Sequence, residues 1–391
     1  MPNEPKTRPA AVCPHAKKCG GCQMQNLTYE EQLAWKQRHV NRLLGRFCRV
    51  SPIIGMEKPY HYRNKVQAAF GLDSRRRIVS GVYQSSTHRI VPVDSCMIED
   101  RLADEIIVTI RRLMPSFRMQ AYDERSGTGF LRHVLVKRGF ATNEVMVVLV
   151  AAKPYFPAQK PFVEKLLELR PEITTVLLNV NDKFTSLVLG EKEKLLYGKG
   201  YIEDILCGCV FRISARSFYQ INPVQTEILY NTAVQAAGLT GAETVLDAYC
   251  GVGTIGLIAS RSAKQVLGVE LNRDAVRDAI ANARRNGIKN CWFTAADAGE
   301  YMVDMASRRE SVDVVFMDPP RTGSDERFLR SLLRLRPNRI VYISCNPDTL
   351  ARDLEILIRG GYRAESAQPV DMFPHTNHIE TIVSMSKGNQ N

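Results

Sequence analysis

From residue 218 onwards short apolar runs alternate with helical segments, and this rhythm constrains the fold more than any other feature of the chain. T244-V-L-D-A248, V266-L-G-V-E270, 291–294, V312-D-V-V-F-M317 and I340-V-Y-I-S344 read as strands, with helices at 224–237, 254–261 and 273–286. Val- and Ile-rich runs without polar alternation belong to strands buried on both faces, and helices between them serve as crossovers of a parallel sheet. Residues 361–368 and 379–386 are expected to close that sheet as edge strands. The segment 218–391 therefore reads as a doubly wound, Rossmann-like α/β domain.

The preceding half has another pattern. Thr28 with Glu31 three residues on forms a capping box for a helix that fades at Gly45. V66-Q-A-A-F70 and I78-V-S-G-V-Y83 read as antiparallel strands around the basic turn D73-S-R-R-R77. A helix at 98–114, strands at 130–136 and 145–150, a helix at 160–169 and strands at 174–180 and 184–189 follow. Local pairing of this kind predicts a smaller α+β domain over 1–24 and 57–217, with 25–56 as a separate helical segment.

A chain of 391 residues has room for two cores. Its net charge of +12 favours a polyanionic partner such as nucleic acid. The proline-rich first twelve residues cannot act as a secretory signal, and no run of eighteen apolar residues occurs, so no membrane association and a cytoplasmic location are expected. Ten cysteines in this length do not make a disulfide scaffold.

D247-A-Y-C-G-V-G-T254 follows a strand and opens a helix, the setting of a ligand-binding glycine loop. Gly251 and Gly253 let backbone approach a ligand, and Glu270, ending the next strand, is placed to accept from ribose hydroxyls. The third glycine of the dinucleotide pattern is missing, and Asp247 would repel a pyrophosphate. A nucleoside without one, S-adenosyl-L-methionine, fits better. Asp297 after the third strand is placed for adenine, and Asp318 ends the fourth in D318-P-P-R321. Arg321 has two readings, a contact to a substrate phosphate or a pair with Asp318.

V341-Y-I-S-C-N-P347 delivers Cys345 to the carboxyl end of a strand, where such sheets hold their ligands. C5 of a pyrimidine is a poor nucleophile, but a thiolate added at C6 gives C5 enolate character and lets it attack a methylsulfonium. A base must then remove the C5 proton so that the thiol can leave. In D371-M-F-P-H-T-N-H-I-E380 the candidates are Glu380, His375 and His378, with Glu380 preferred because it is fixed at a strand entry. Near the other end, C13-P-H-A-K-K-C19-G-G-C22 reads as three ligands of a metal site, with Cys96, Cys48 or His15 as the fourth and zinc or [4Fe–4S] as the occupant.

Taken together, G-V-G-T254, D318-P-P-R321, S344-C-N-P347 and M372-F-P-H-T-N-H-I-E380 resemble the RNA uracil-5-methyltransferase family, over nearly the whole chain. The resemblance implies Cys345 as nucleophile, Glu380 as general base, and Glu270 and Asp318 as contacts to S-adenosylmethionine. F218-Y-Q-I-N222 matches a further family element, implying Gln220 on the donor or site and Phe218 near an extruded base. Ribosomal members carry a C-x5-C-G-G-C element and a [4Fe–4S] cluster, which implies Cys13, Cys19, Cys22 and Cys96 as ligands. Their helix after the cluster packs on the catalytic domain, here 25–56.

Many such members begin with a TRAM barrel, expected to be absent since twelve residues precede Cys13. RNA is then gripped by Lys17–Lys18, Arg63 with Lys65, Arg75–Arg77, Arg132 and Lys137–Arg138. The expectation is C5 methylation of a specific uridine in 23S ribosomal RNA, with no obligate protein partner. The T-loop uridine of transfer RNA is the first alternative and a non-catalytic RNA-binding or assembly protein the second.

Overall fold

Two sheets, each with its own apolar core, organise the computed structural model, which describes residues 13–388 apart from 86, 125, 157, 184 and 186. The first twelve residues, and with them the expectation that they carry no secretory signal, lie outside that range. The chain divides into one unit of residues up to Asn26, Lys58–Ile205 and Arg212–Pro223, and another of Leu27–Glu57, Leu206–Phe211 and Val224 onward.

The first unit contains the single turn α1 (Ala16–Cys19), strands β2 (Lys65–Leu72), β3 (Ile78–Tyr83), β4 (Ile90–Pro92), β5 (Leu131–Arg138), β6 (Val145–Ala151), β7 (Ile173–Val180) and β8 (Lys192–Tyr197), and helices α3 (Arg101–Leu113) and α4 (Gln159–Leu169). The strands form one sheet in the order β4-β3-β2-β5-β6-β7-β8, antiparallel except where α4 carries β6 into parallel β7. Ile106 and Ile110 of α3 and Phe162 and Leu166 of α4 pack on Val134, Val147 and Leu149. The strand expected at 184–189 is instead β8; positions 184 and 186 lie outside the described residues. Strands β9 (Ile202–Leu206) and β10 (Cys209–Ile213) form a separate two-stranded ribbon.

The second unit holds α2 (Tyr29–Leu44), β1 (Arg49–Val50), α5 (Pro223–Ala237), β11 (Thr244–Ala248), α6 (Thr254–Ala259), β12 (Gln265–Glu270), α7 (Arg273–Arg285), β13 (Cys291–Ala295), α8 (Ala298–Ser307), β14 (Val314–Met317), α9 (Glu326–Leu335), β15 (Arg339–Ser344), α10 (Pro347–Arg359), β16 (Tyr362–Val370) and β17 (Glu380–Lys387). Their order is β1-β16-β17-β15-β14-β11-β12-β13, with β11 to β15 parallel. The chain leaves β11 in one direction and returns at β14 in the other, so the crevice of this doubly wound sheet opens at the carboxyl ends of β11 and β14. The two last strands are not both at the edge: β17 inserts antiparallel between β15 and β16, and β1 covers β16. Every side chain of β17 from Glu380 to Met385 is buried, which an edge position would not give.

Helix α2 begins with the Thr28–Glu31 capping box and sends Val40 and Leu44 into the core of the second unit. One helical turn earlier on the same face, Lys36 is fully buried and pairs with buried Asp371 at 2.6 Å. Removing one partner of such a pair strands a charge in the interior, at a cost of about 3–5 kcal/mol. Lys36→Met is expected to lower unfolding stability in urea by about that amount, and Lys36→Met with Asp371→Asn to recover part of it. Equal stability of the single and double variants would show that the unpaired charge is not the cause.

Candidate active site at the carboxyl ends of the strands

The loop after β11 takes left-handed backbone at alternate residues, Tyr249, Gly251 and Gly253, with φ of +64, +54 and +82°. An added Cβ would meet nothing within 4 Å at Gly251, whereas at Gly253 it would strike the Phe293 ring at 2.9 Å. One glycine leaves room in front of the loop and the other lets the loop pack. Glu270 braces this turn, accepting from the Gly251 N–H at 3.1 Å and the Asn272 N–H at 2.8 Å. Asp247 accepts from the Gly256 N–H at 2.8 Å in the first turn of α6. Its burial, helped by the charges of Asp318 and Glu270, raises its pKa to about 7.

Cys345 leaves β15 because Asn346 caps α10, accepting from the Asp348 N–H at 3.1 Å, and Pro347 occupies the first helical turn. Ser344 faces Thr381 in the antiparallel ladder of β15 and β17. The ladder ends at that pair, and Cys345 follows Ser344 as Glu380 precedes Thr381, which brings the two residues to the same end of the two strands. The two groups feel each other. Burial, then the charges of Glu380 and Asp318, push the Cys345 thiol up to about 11, with Arg321 acting against them. Glu380 is 4% exposed, and burial followed by the charge of Asp318 raises it to about 8. Burial also takes Asp318, at the end of β14, to about 7.

The Arg321 guanidinium donates to His378 Nε2 at 3.2 Å, while its carbonyl accepts from Asn346 Nδ2 at 3.1 Å. Asp297 is exposed and caps α8 through the Glu300 N–H. Phe218 and Gln220 belong to the first unit, where Phe218 is 69% exposed and the Gln220 carbonyl accepts from Asn64 Nδ2 at 3.1 Å. Among the expected RNA-gripping residues, Arg132 is buried and donates to the Asn181 and Lys183 carbonyls, and Lys137 is buried and donates to those of Ser214 and Ser217. Arg138 pairs with Asp100, and Lys17, Lys18, Arg75 and Arg76 remain exposed.

The iron–sulfur expectation is corrected. Cys13, Cys19, Cys22 and Cys96 line one cavity of about 400 Å³ in the first unit. Yet among the described residues no group of three or more His, Cys, Asp or Glu side chains is arranged to hold a metal ion. Burial and the Glu99 carboxylate push the Cys96 thiol up to about 12, and burial raises Cys22. The α+β unit is therefore a sheet-and-helix body in which no metal-holding group is arranged among the described residues. No helix among the described residues is long and apolar enough to cross a membrane.

Sequence reasoning missed the residues of α2 that hold the run before Glu380. Gln32, Lys36, Val40 and Leu44 form an i, i+4 ladder of buried positions, and polar residues on such a ladder were the available signal.

Asp247, Asp318 and Glu380 keep protons in the folded chain, near pH 7 to 8, that an unfolded chain releases near pH 4. A folded state that binds more protons loses stability as pH rises through that window. Urea unfolding is expected to show the protein less stable at pH 8.0 than at pH 5.5, and Glu380→Gln to reduce the difference by at least about 1 kcal/mol. An unaltered pH slope in that variant would contradict the burial of an ionisable Glu380.

A family model described as tRNA (uracil-5-)-methyltransferase matches residues 28–388. An RNA methyltransferase of Halalkalibacterium halodurans is 43% identical over 98% of this chain and 84% of its own length. Another, of Clostridium acetobutylicum, is 42% identical over 98% and 85%. The crystal structure of Pyrococcus abyssi tRNA (uracil-54, C5)-methyltransferase in complex with S-adenosyl-L-homocysteine superposes with a TM-score of 0.78 at 28% identity, covering 93% of this chain and 85% of that one. These likenesses move the chain from the cluster-bearing ribosomal branch expected above towards relatives of the uridine-54 enzymes. With its strand-end site and these relatives, the chain belongs to the tRNA (uracil-5-)-methyltransferase family and is an S-adenosylmethionine-dependent RNA (uracil-C5)-methyltransferase.

Proposed function

We propose that the RNA is transfer RNA and the target its T-loop uridine, methylated through a covalent adduct on Cys345 with Glu380 as base. What supports the chemistry is the pairing of β15 and β17, whose last rung, Ser344 with Thr381, brings the Cys345 thiol and the buried Glu380 carboxyl to one end of the two strands, near enough for the charge of Glu380 to act on the thiol. The description of the matching family and the uridine-54 enzyme of similar structure support the choice of RNA. A second reading, a uridine of 23S ribosomal RNA, is left open by relatives named as RNA methyltransferases without a stated RNA.

The strand ends suit S-adenosylmethionine. Asp247, Glu270, Asp318 and Glu380 gather four carboxyl groups, whose ionised forms a bound cation would favour, and the backbone at Gly251 is open. Bound there, it supplies a methyl group on a cationic sulfur. Glu270 would hold the ribose, the Gly251–Gly253 turn would pass the nucleoside, and Asp247 and Asp318 would face positive charge. Asp297 on adenine, Gln220 on the donor and Phe218 on the extruded uracil follow from the family resemblance, and Arg321 would meet the phosphate of that nucleotide. The Cys345 thiol would lose its proton to solvent and its sulfur add to C6, so that C5 becomes nucleophilic and takes the methyl, the donor leaving as the neutral thioether S-adenosyl-L-homocysteine. Glu380 takes the C5 proton, the C5=C6 bond re-forms, and the Cys345–C6 bond breaks.

Mass-spectrometric mapping of 5-methyluridine in transfer and ribosomal RNA, from cells with and without this chain, decides between the two RNAs. Loss confined to the T-loop position supports the first reading, and loss at a 23S position replaces it with the second. Cys345→Ala is expected to lower methyl transfer by at least about a thousandfold. Glu380→Gln is expected to accumulate a denaturant-resistant protein–RNA species carrying the methyl label. Full activity of Cys345→Ala would overturn the covalent route and leave a non-catalytic RNA-binding role open for residue 345.

A further inference from the structure

The run that connects β16 to Glu380 is held from one side by α2. Asp371 receives Lys36 Nζ at 2.6 Å and the Tyr29 hydroxyl at 2.9 Å, and its carbonyl accepts from Gln225 Nε2 at 2.9 Å. The Tyr29 oxygen itself accepts the Met56 N–H at 2.7 Å. Lys36 donates to the Phe373 carbonyl at 3.1 Å. Two residues on, Gln32 Oε1 accepts the His375 N–H at 2.8 Å, and Gln32 Nε2 lies 3.2 Å from His375 Nδ1. His375 has a φ of +69°, a left-handed backbone that residues with a side chain rarely adopt. Gln32, Lys36, Asp371 and His375 are all buried.

A non-glycine residue in a left-handed turn persists where its surroundings over-determine it. The turn fixed here is followed at once by His378, which meets Arg321, and by Glu380 at the start of β17. We infer that Tyr29, Gln32 and Lys36 are positioning residues for proton removal from C5: they lock the 371–379 run so that Glu380 enters β17 aimed at the Cys345 side of the crevice. None of them touches the reacting atoms. Their effect is confined to the second half of the reaction, after the Cys345–C6 bond has formed and C5 has gained its methyl, when the C5 proton passes to Glu380 and the electron pair it leaves expels the sulfur. The inference rests on Cys345 and Glu380 having the roles proposed above.

Gln32→Met removes both contacts to His375 and keeps the size of the side chain. Tyr29→Phe removes one hydroxyl and leaves the Lys36–Asp371 pair intact, so it keeps folding safe. Each is incubated with radiolabelled S-adenosylmethionine and total RNA from cells lacking this chain, beside wild type and Glu380→Gln. Expected are a turnover lowered about tenfold or more, since a small misplacement of a reacting group is costly, a KM for RNA within about twofold of wild type, and a labelled protein–RNA band that resists denaturant. Merely weakened folding lowers turnover without that band. The inference is overturned when Glu380→Gln accumulates the band and neither folded variant does, or when both variants turn over at the wild-type rate. Absence of the band in Glu380→Gln as well would instead overturn the assignment of Glu380.

Discussion

The reversal of β17 between β15 and β16 is the constraint from which the chemistry follows. A sheet of parallel strands alone would bring every strand end to the crevice from one direction, each followed by a helix. The antiparallel strand brings a strand start there too. Ser344 opposite Thr381 fixes the register, and a slip of one residue would turn Glu380 to the other face of the sheet. Because both faces are packed, with Tyr342, Val383 and Met385 in one core, that slip is strongly disfavoured.

Electrostatics explains why the site is built at some cost. The chain is basic, yet its strand ends concentrate Asp247, Glu270, Asp318 and Glu380. Burial alone raises the buried carboxylates, and their mutual repulsion raises some further. The helices pay part of this back locally: the Gly256 N–H serves Asp247, and the N–H groups of Gly251 and Asn272 serve Glu270. Arg321 is the cation whose field reaches both Cys345 and Glu380.

Much of the second unit was legible because parallel strands and crossover helices leave periodic marks. β11, β12, β13 and β15 lie within a residue or so of where apolar runs placed them. The place of β17 was not legible, since an inserted antiparallel strand and an edge strand carry the same apolar run until pairing is known. The glycine loop, Asp318, Cys345 and Glu380 could be singled out because chemistry-bearing residues beside apolar runs stand out in the sequence, and the structure puts each at the end of a strand. Lys36 did not stand out, because a lysine on a helix is usually solvated, and only its partner Asp371, more than three hundred residues away, makes burial possible. The same reasoning misjudged Arg132 and Lys137, whose charges are spent on backbone carbonyls. The cysteine spacing at 13–22 reads as a metal site in sequence, but spacing does not carry the convergence of ligands that a metal needs.

The cap of α10 has a consequence for when the sulfur is reactive. Cys345 stands one residue ahead of Asn346, at the amino end of a thirteen-residue helix, where the aligned peptide dipoles present partial positive charge. That dipole favours a thiolate, while two neighbouring acids disfavour it. The helix is permanent and the acids are titratable, so a cationic guest among the acids tips the balance towards ionisation. Burial is the largest force holding the thiol protonated, and in the proposed reaction a cation among the acids would relieve only their share of it.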